Sequence, residues 1–281
     1  MNDTLTLAAF GLLAGCAIPL LRTGSGAVVV PLMYCSLSAL HPAGSPLHRM
    51  AMHVAVGTSA CVLAVTAAAA CRPYLAARRI SLRRAWPLCL YAATGALAGA
   101  LAALSLSPFR LRLLYVLYLS ALIADCALRF DRLARMSAAH GILPPDMPRR
   151  LPALLNACAV LAMGSVAAGA GVGGGAMAVP LMRRGGHDAE LAAALAGLLA
   201  ATAGIAASTV YLSAAVPRGF EWGKWGGWQA GYIDLSAAAL LSTAALLGMR
   251  LAAPSAGLLP ERWRVGLYMG LLLLALFKMT V

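Results

Sequence analysis

Residues 24–33 read GSGAVVVPLM, and residues 173–182 read GGGAMAVPLM. Seven of the ten positions are identical at an offset of 149 residues, and the same offset pairs Gly15 with Gly164. Apolar composition alone often matches an alanine or a leucine, but it does not readily produce a shared G-x-G-A-x-x-V-P-L-M. We interpret the two stretches as copies from an internal duplication that spans both halves of the chain.

Each copy places its glycines between two short apolar stretches, at residues 5–21 and 26–40 in the first half and at 151–169 and 174–182 in the second. Glycine allows the backbone to leave the helix, and the next helix begins with free N–H groups and a positive dipole end, which attract anions. In a membrane such a break is tolerated only where it is buried in protein or lines a polar cavity. Two breaks that meet near the midplane are typical of secondary transporters. The alternative is that the glycines only allow close helix packing.

The composition excludes a water-soluble globular protein. The 281 residues are 62% hydrophobic and 11% charged, with a mean hydropathy of +0.83, against about 45–50% and about 25% in soluble domains. Besides the short hairpin, each half contains three apolar stretches that approach or exceed the roughly 20 residues needed to cross a bilayer. We predict an all-α integral membrane protein of two repeats, each a glycine-broken helical hairpin plus three transmembrane helices. The six long stretches are residues 47–71, 85–106, 111–128, 189–216, 232–252 and 265–280.

A polar segment at residues 129–150 separates the halves, and its adjacent prolines and five arginines indicate a solvated linker. We predict a first repeat at 1–128 and a second at 151–281. If each hairpin returns to the side it entered from, 15 of the 22 lysines and arginines lie on the linker's side, which is then cytoplasmic. The halves then have inverted topology, in the inner (cytoplasmic) membrane of a bacterium. The net charge of +13 therefore reflects orientation, and no nucleic-acid partner is expected.

Arg22 is the charged residue that orientation does not explain. It lies between two apolar stretches, directly before Thr23, and an arginine inside a membrane is costly enough to indicate a functional site. In a cavity its guanidinium would favour an anion. Alternatively, the hairpin tip reaches a surface and Arg22 extends into the lipid headgroups. Its counterpart in the second copy is Gly171, so the duplication does not require it.

Polar side chains cluster at residues 53–59, HVAVGTS, within the third apolar stretch. Thr58 and Ser59 are candidates to donate hydroxyl groups to a substrate, although such groups in membrane helices often bond their own helix carbonyls. His53 is a candidate proton carrier, or else a hydrated side chain near the outer end of its span. Asp234 is a second coupling candidate, and its place at the start of a segment favours a helix N-cap.

Metal and nucleotide chemistry find no support in the sequence. The seven cysteines are scattered singly, with no CxxC pair, and no closely spaced histidine and cysteine set is present. Gly169, Gly171 and Gly174 satisfy a dinucleotide fingerprint, but an apolar helix precedes them where that motif needs a strand. We expect no metal and no cofactor.

The chain resembles the TauE/SafE sulfite exporter family. The resemblance lies in the paired blocks GSGAVVVP at 24–31 and GVGGGAMAVP at 171–180, in HVAVGTSA at 53–60 and in the GYID at 231–234. It implies a transporter, usually an exporter, of small sulfur-containing anions such as sulfite, thiosulfate, sulfoacetate or other organosulfonates. It points to the glycine blocks and to the G-T-S at 57–59 as functional residues. The first block departs from the usual glycine-rich run, and the second half has GLL at 197–199 where a G-T-S would be expected.

The resulting hypothesis is a secondary anion transporter in the lipid bilayer, with no enzymatic activity and with homo-oligomerisation left open. An anion channel, an importer of another small anion and a membrane enzyme remain alternatives. His53 and Asp234 are the candidates for ion coupling. The candidate substrate-binding residues are Arg22, Thr23, Gly24, Ser25, Gly26, Thr58, Ser59, Gly171, Gly173, Gly174 and Gly175.

Overall fold

The computed structural model describes residues 2–21, 26–40, 45–80, 82–138, 153–184, 189–216, 228–255 and 260–280. Within these ranges ten α-helices form, one for each predicted apolar stretch. A two-residue strand pair, β1 Gln229–Ala230 and β2 Ile233–Asp234, precedes the ninth. The helices are α1 Asn2–Leu21, α2 Gly26–Leu40, α3 Pro46–Ala76, α4 Leu82–Ser105, α5 Pro108–Ala138, α6 Ala153–Ala170, α7 Gly175–Arg184, α8 Ala189–Ser213, α9 Leu235–Ala252 and α10 Glu261–Thr280.

Six of the helices in the described ranges are long and apolar enough to cross a membrane: α3, α4, α5, α8, α9 and α10. They correspond to the six long stretches of the sequence, so the predicted all-α membrane fold is confirmed. The other four helices are the two glycine-broken hairpins, α1 with α2 and α6 with α7. Of the six, α3 and α8 are the most buried, and they pack on each other at the centre.

Helix contacts repeat between the two halves. Helix α1 packs on α9, and α6 packs on α4. At matching positions, Gly15 of α1 lies against Ala245 and Gly164 of α6 lies against Ala92, so close that an added Cβ would collide with the partner backbone. Gly15 and Gly164 are the pair related by the 149-residue offset. Residues related by the 149-residue offset therefore make similar helix contacts, and each hairpin packs on a helix of the opposite half.

Other glycines serve only this close packing. A Cβ at Gly95 would collide with the carbonyl of Leu161, and one at Gly99 with the carbonyl of Ser165. Both glycines lie on α4 where it meets α6. Small residues at such crossings allow two helix backbones to approach closely, which is how membrane helices gain van der Waals contact.

Helix α5 is longer than the sequence predicts. It continues to Ala138, although the apolar stretch ends at Leu128 and the linker was expected to begin at residue 129. The extension contains no glycine or proline and is rich in Leu, Arg, Ala and Met, which favour helix. Charge therefore ends the apolar span without ending the helix. Linker residues 139–150 lie outside the described ranges.

The outward faces of α4, α5 and α10 carry large apolar side chains, which suits contact with lipid. Leu101, Leu117 and Leu274 are each about 60% exposed. Trp86 and Trp263 are also exposed, each near the start of its helix and beside arginines, as is common at membrane interfaces. Trp228, before the ninth helix, is 77% exposed.

Candidate functional site

The second glycine break begins where α6 ends. Gly171 has a φ of +67°, a left-handed conformation that costs a residue with a Cβ considerably more than it costs glycine. The N–H of Val172 donates to the carbonyl of Ala167 at 3.0 Å, and that of Gly171 to Ala168 at 3.4 Å. These two bonds form a Schellman motif, which satisfies carbonyls at the end of α6.

Two more left-handed glycines lead into α7. Gly173 and Gly174 have φ values of +78° and +59°, and α7 starts at Gly175. The N–H groups of Met177 and Ala178 both donate to the carbonyl of Gly174, at 2.9 and 2.8 Å. The N–H groups before them, at the start of α7, have no acceptor within the helix. Residues 171–174 of the break are buried, and Gly175 is half-buried.

The start of α2 lies against this break. A Cβ added at Gly26 would stand 2.5 Å from Val172 Cα and would also meet the carbonyl oxygen of Gly171. A Cβ added at Gly171 would stand 3.2 Å from Cγ2 of Val30, one turn into α2. The first half and the second half therefore meet at their broken hairpins. Arg22, Thr23, Gly24 and Ser25, which precede α2, lie outside the described ranges.

Ser59 of α3 also contacts the second glycine break. Its Oγ donates to the carbonyl oxygen of Gly171 at 2.8 Å, and the serine side chain is fully buried. The alternative that Ser59 bonds its own helix is wrong, because the acceptor belongs to the other half. The 149-residue offset pairs the G-T-S at 57–59 with AAS at 206–208, and not with the GLL at 197–199 expected above. Ser208 bonds its own helix, at the carbonyl of Gly204. The two halves thus use equivalent serines differently.

Thr58 contacts the start of α9. Its Oγ1 accepts a hydrogen bond from the backbone N–H of Asp234 at 3.3 Å. The carboxylate of Asp234 accepts from the N–H of Ala237 at 3.0 Å and from the hydroxyl of Ser236 at 2.5 Å. The interpretation of Asp234 as an N-cap is confirmed. Thr58 and Ser59 are both 0% exposed, and each has a partner within the protein.

The strand pair before α9 is a feature that the sequence did not predict. Its turn residue Gly231 has a φ of +57° and packs against the backbone at the end of α8. The N–H of Tyr232 donates to the carbonyl of Tyr211 at 2.9 Å. On the other side, a Cβ at Gly57 would stand 2.9 Å from the carbonyl oxygen of Tyr232. The turn therefore docks on both central helices.

The sequence also did not point to two buried tyrosines that lie beside the breaks. Tyr211 donates from its hydroxyl to the carbonyl of Ala168 at 3.5 Å, near the end of α6. Tyr115 donates to the carbonyl of Ala27 at 3.3 Å, in the first turn of α2. Both side chains are 0% exposed. A buried tyrosine hydroxyl usually has a hydrogen-bond partner, so a tyrosine within an apolar stretch of sequence indicates such a contact.

His53 is buried, so the alternative that it is simply hydrated is wrong. Its side chain is 3% exposed, and its ring centroid lies 5.7 Å from that of Tyr232. Its Nδ1 has no hydrogen-bond partner among the described residues. In those same ranges no group of three histidine, cysteine or acidic side chains is placed to hold a metal ion.

A family model described as sulfite exporter TauE/SafE matches residues 7–279 of the chain. The matched range includes both broken hairpins, the six long helices and the strand pair. Neither the comparison with curated proteins nor that with solved structures found a match. The match covers almost the whole chain, so the resemblance of the glycine blocks is confirmed. The chain is a multi-pass membrane protein that belongs to the TauE/SafE sulfite exporter family.

Proposed function

We propose that the protein exports small sulfur-containing anions, such as sulfite, thiosulfate or an organosulfonate, across the bacterial cytoplasmic membrane. The observation that carries this proposal is the contact between Gly26, at the start of α2, and the break at Gly171 and Val172. Membership in a family of sulfite exporters supports the substrate class. The finer points, namely the particular anion and the direction of transport, are part of the proposal.

The anion would bind beside the second break, where the start of α2 contacts Gly171 and Val172 and α7 begins three residues later. The first N–H groups of a helix have no intrahelical acceptor and carry partial positive charge, and this applies to α2 from Gly26 and to α7 from Gly175. Glycine lacks a Cβ, so the backbone at 173 and 174 leaves room for close approach of a ligand. A sulfonate or sulfite presents three oxygens, each of which accepts such hydrogen bonds.

Arg22 would supply the full positive charge. It precedes the start of α2 with Thr23, Gly24 and Ser25, so the four residues connect directly to the helix end that contacts the second break. A guanidinium binds a sulfonate through two parallel hydrogen bonds, as it binds a carboxylate or a phosphate. Ser59 and Thr58 would then position the backbone around the anion, since both hydroxyl groups already have protein partners.

Transport would proceed by alternating access between two halves of inverted topology, with the linker in the cytoplasm. The packing supports this, because each hairpin lies on a helix of the opposite half, α1 on α9 and α6 on α4. Rocking of one half against the other would open the paired breaks first to one side and then to the other. No chemical conversion of the anion is part of this cycle.

A thermal-shift screen of the purified protein tests the substrate class. Sulfite, thiosulfate, sulfoacetate, taurine and sulfate are compared with chloride at equal ionic strength, and a bound anion raises the melting temperature. Counterflow in proteoliposomes then distinguishes the mechanisms. A transporter shows saturable exchange, a channel shows current without saturation or counterflow, and an enzyme converts the anion in detergent.

A further inference from the structure

His53 is a buried polar side chain that the anion site does not use. It is 3% exposed within α3, and its Nδ1 has no hydrogen-bond partner among the described residues. Leaving a buried nitrogen unpaired is unfavourable, so such groups are few in folded proteins and usually have a reason. An imidazole changes its charge near neutral pH more readily than any other side chain. Reversible binding of a proton at Nδ1 would explain why this nitrogen has no partner in the protein.

The ring of His53 lies near an aromatic ring and two backbone carbonyls. Its ring lies beside that of Tyr232, at a tilt of 40°. The backbone carbonyls of Ala103 and Leu106, where α4 ends, also approach the ring. The carbonyl of Ala103 already accepts from the N–H of Leu106 at 3.2 Å, and carbonyls at a helix end carry partial negative charge. Burial disfavours the charged form of the ring, so an imidazolium here would depend on these carbonyls and on a nearby anion.

His48, five residues earlier on α3, also has an Nδ1 without a hydrogen-bond partner among the described residues, whereas the other titratable groups named here have partners or are exposed. On α3 itself, Arg49 lies one turn earlier and is exposed, as is Arg110 at the start of α5. Among the described residues, groups that have partners include Asp234 with Ser236 and Ala237, Arg112 with Met279 and Tyr34, Cys35 with Lys278, Tyr115 with Ala27, and Tyr211 with Ala168.

His53 is close enough to the glycine break to be coupled to an anion there. It precedes Val56 by three residues, about 4.5 Å along the helix axis, and a Cβ at Gly171 would stand 2.9 Å from the carbonyl oxygen of Val56. A positive charge at His53 and a negative charge at the break would attract each other across a protein interior that screens them weakly. By linkage, each ligand then raises the affinity for the other by the same factor.

We propose that His53 is a proton-binding site that loads together with the transported anion. The imidazole takes one proton from water as the anion binds, becoming an imidazolium, and returns it to water on the side where the anion leaves. A monovalent anion and its proton thus cross together without net charge. This inference rests on the proposed function, because it needs an anion at the break.

Calorimetry in detergent tests the proposal with methanesulfonate, an anion that carries no titrating proton near neutral pH. Binding is measured in two buffers of different ionisation enthalpy, which gives the number of protons taken up per anion. The expected uptake in the wild type approaches about one proton at alkaline pH and is lost in His53→Gln. The control is His48→Gln, which is half-buried on the same helix and whose Nδ1 also has no hydrogen-bond partner among the described residues, but which lies five residues farther from Val56. It should keep the wild-type value.

The outcomes separate the two proposals. Methanesulfonate binding without proton uptake in the wild type, or uptake that persists in His53→Gln, overturns the role of His53 and leaves the transport proposal standing. Failure of methanesulfonate, sulfite and sulfoacetate to bind at any pH contradicts both. If His53→Gln does not fold, the wild type alone decides. Its Kd for methanesulfonate should weaken by about tenfold per pH unit above the histidine titration, and a flat profile overturns the proposal.

Discussion

Ser59 of α3 donates a hydrogen bond of 2.8 Å to the carbonyl oxygen of Gly171, a residue 112 positions away in the other half of the chain. The acceptor is the first left-handed residue of the second glycine break. The bond therefore fixes the break relative to a central helix, and it does so at the point where the start of α2 also makes contact. We expect removal of this bond to loosen the candidate anion site.

Ser59→Ala should destabilise the protein by about 1–3 kcal/mol, because the buried carbonyl of Gly171 loses its donor. Thermal unfolding in detergent measures the change. The matched control is Ser208→Ala, at the position equivalent to Ser59, where the hydroxyl bonds only its own helix. We expect a much smaller loss there. Equal losses in the two variants would contradict a special role for the contact between the halves.

Gly171→Ala should prevent normal folding or abolish anion binding. A φ of +67° strains an alanine by about 1–2 kcal/mol, and the new Cβ would press on the carbonyl of Val56 and on Val30. Gly270→Ala is the control, since its added Cβ meets nothing within 4 Å and lies inside helix α10. That change should be neutral or stabilise the helix by up to about 1 kcal/mol. A fully active Gly171→Ala protein would show that the break tolerates another conformation.

Asp234→Ala should cost about 0.5–2 kcal/mol, the usual loss when an N-cap side chain is removed. Asp234→Asn keeps a capping oxygen for Ala237 and should retain both stability and transport. Thermal unfolding and proteoliposome transport of the two variants separate the roles of this side chain. Loss of transport in a stable Asp234→Asn protein would show that the negative charge itself is required, as an ion-coupling role demands.

Arg22→Ala should remove binding of sulfonate-type anions while leaving the fold intact. The measurement is the thermal shift produced by sulfoacetate or sulfite, followed by transport in proteoliposomes. Arg49→Ala, a change to an exposed arginine on α3, is the control and should behave as the wild type. Unchanged transport in the Arg22 variant would place that arginine at the lipid headgroups instead of in the anion site.

The helices and their membrane setting were predictable from the sequence because they depend on local properties. Apolar stretches of sufficient length predicted each of the ten helices. The glycines at 171, 173 and 174 predicted the break before α7, since the left-handed conformations there need residues without a Cβ. The end of α5 was predicted less well. Hydropathy marks where a span leaves the membrane, whereas helix propensity decides where the helix ends.

The neighbours of the candidate site could not be predicted in the same way. The sequence identified His53, Ser59 and Asp234 as polar residues of interest, but not that His53 would be buried beside Tyr232. The strand pair that carries Tyr232 is only two residues long on each side. Its strands are too short to show a periodic pattern, and its position depends on contacts with both α3 and α8.

By itself, the sequence determined a duplicated, glycine-broken membrane protein, because hydrophobicity, helix length and the conformational freedom of glycine act over a few neighbouring residues. Only the tertiary structure decided which groups meet at the break. Thr58 binds Asp234 across 176 residues, and Ser59 reaches Gly171 across 112. Such partners are chosen by how helices pack on each other, since a hydroxyl buried away from water must find whichever backbone group the packing brings within reach.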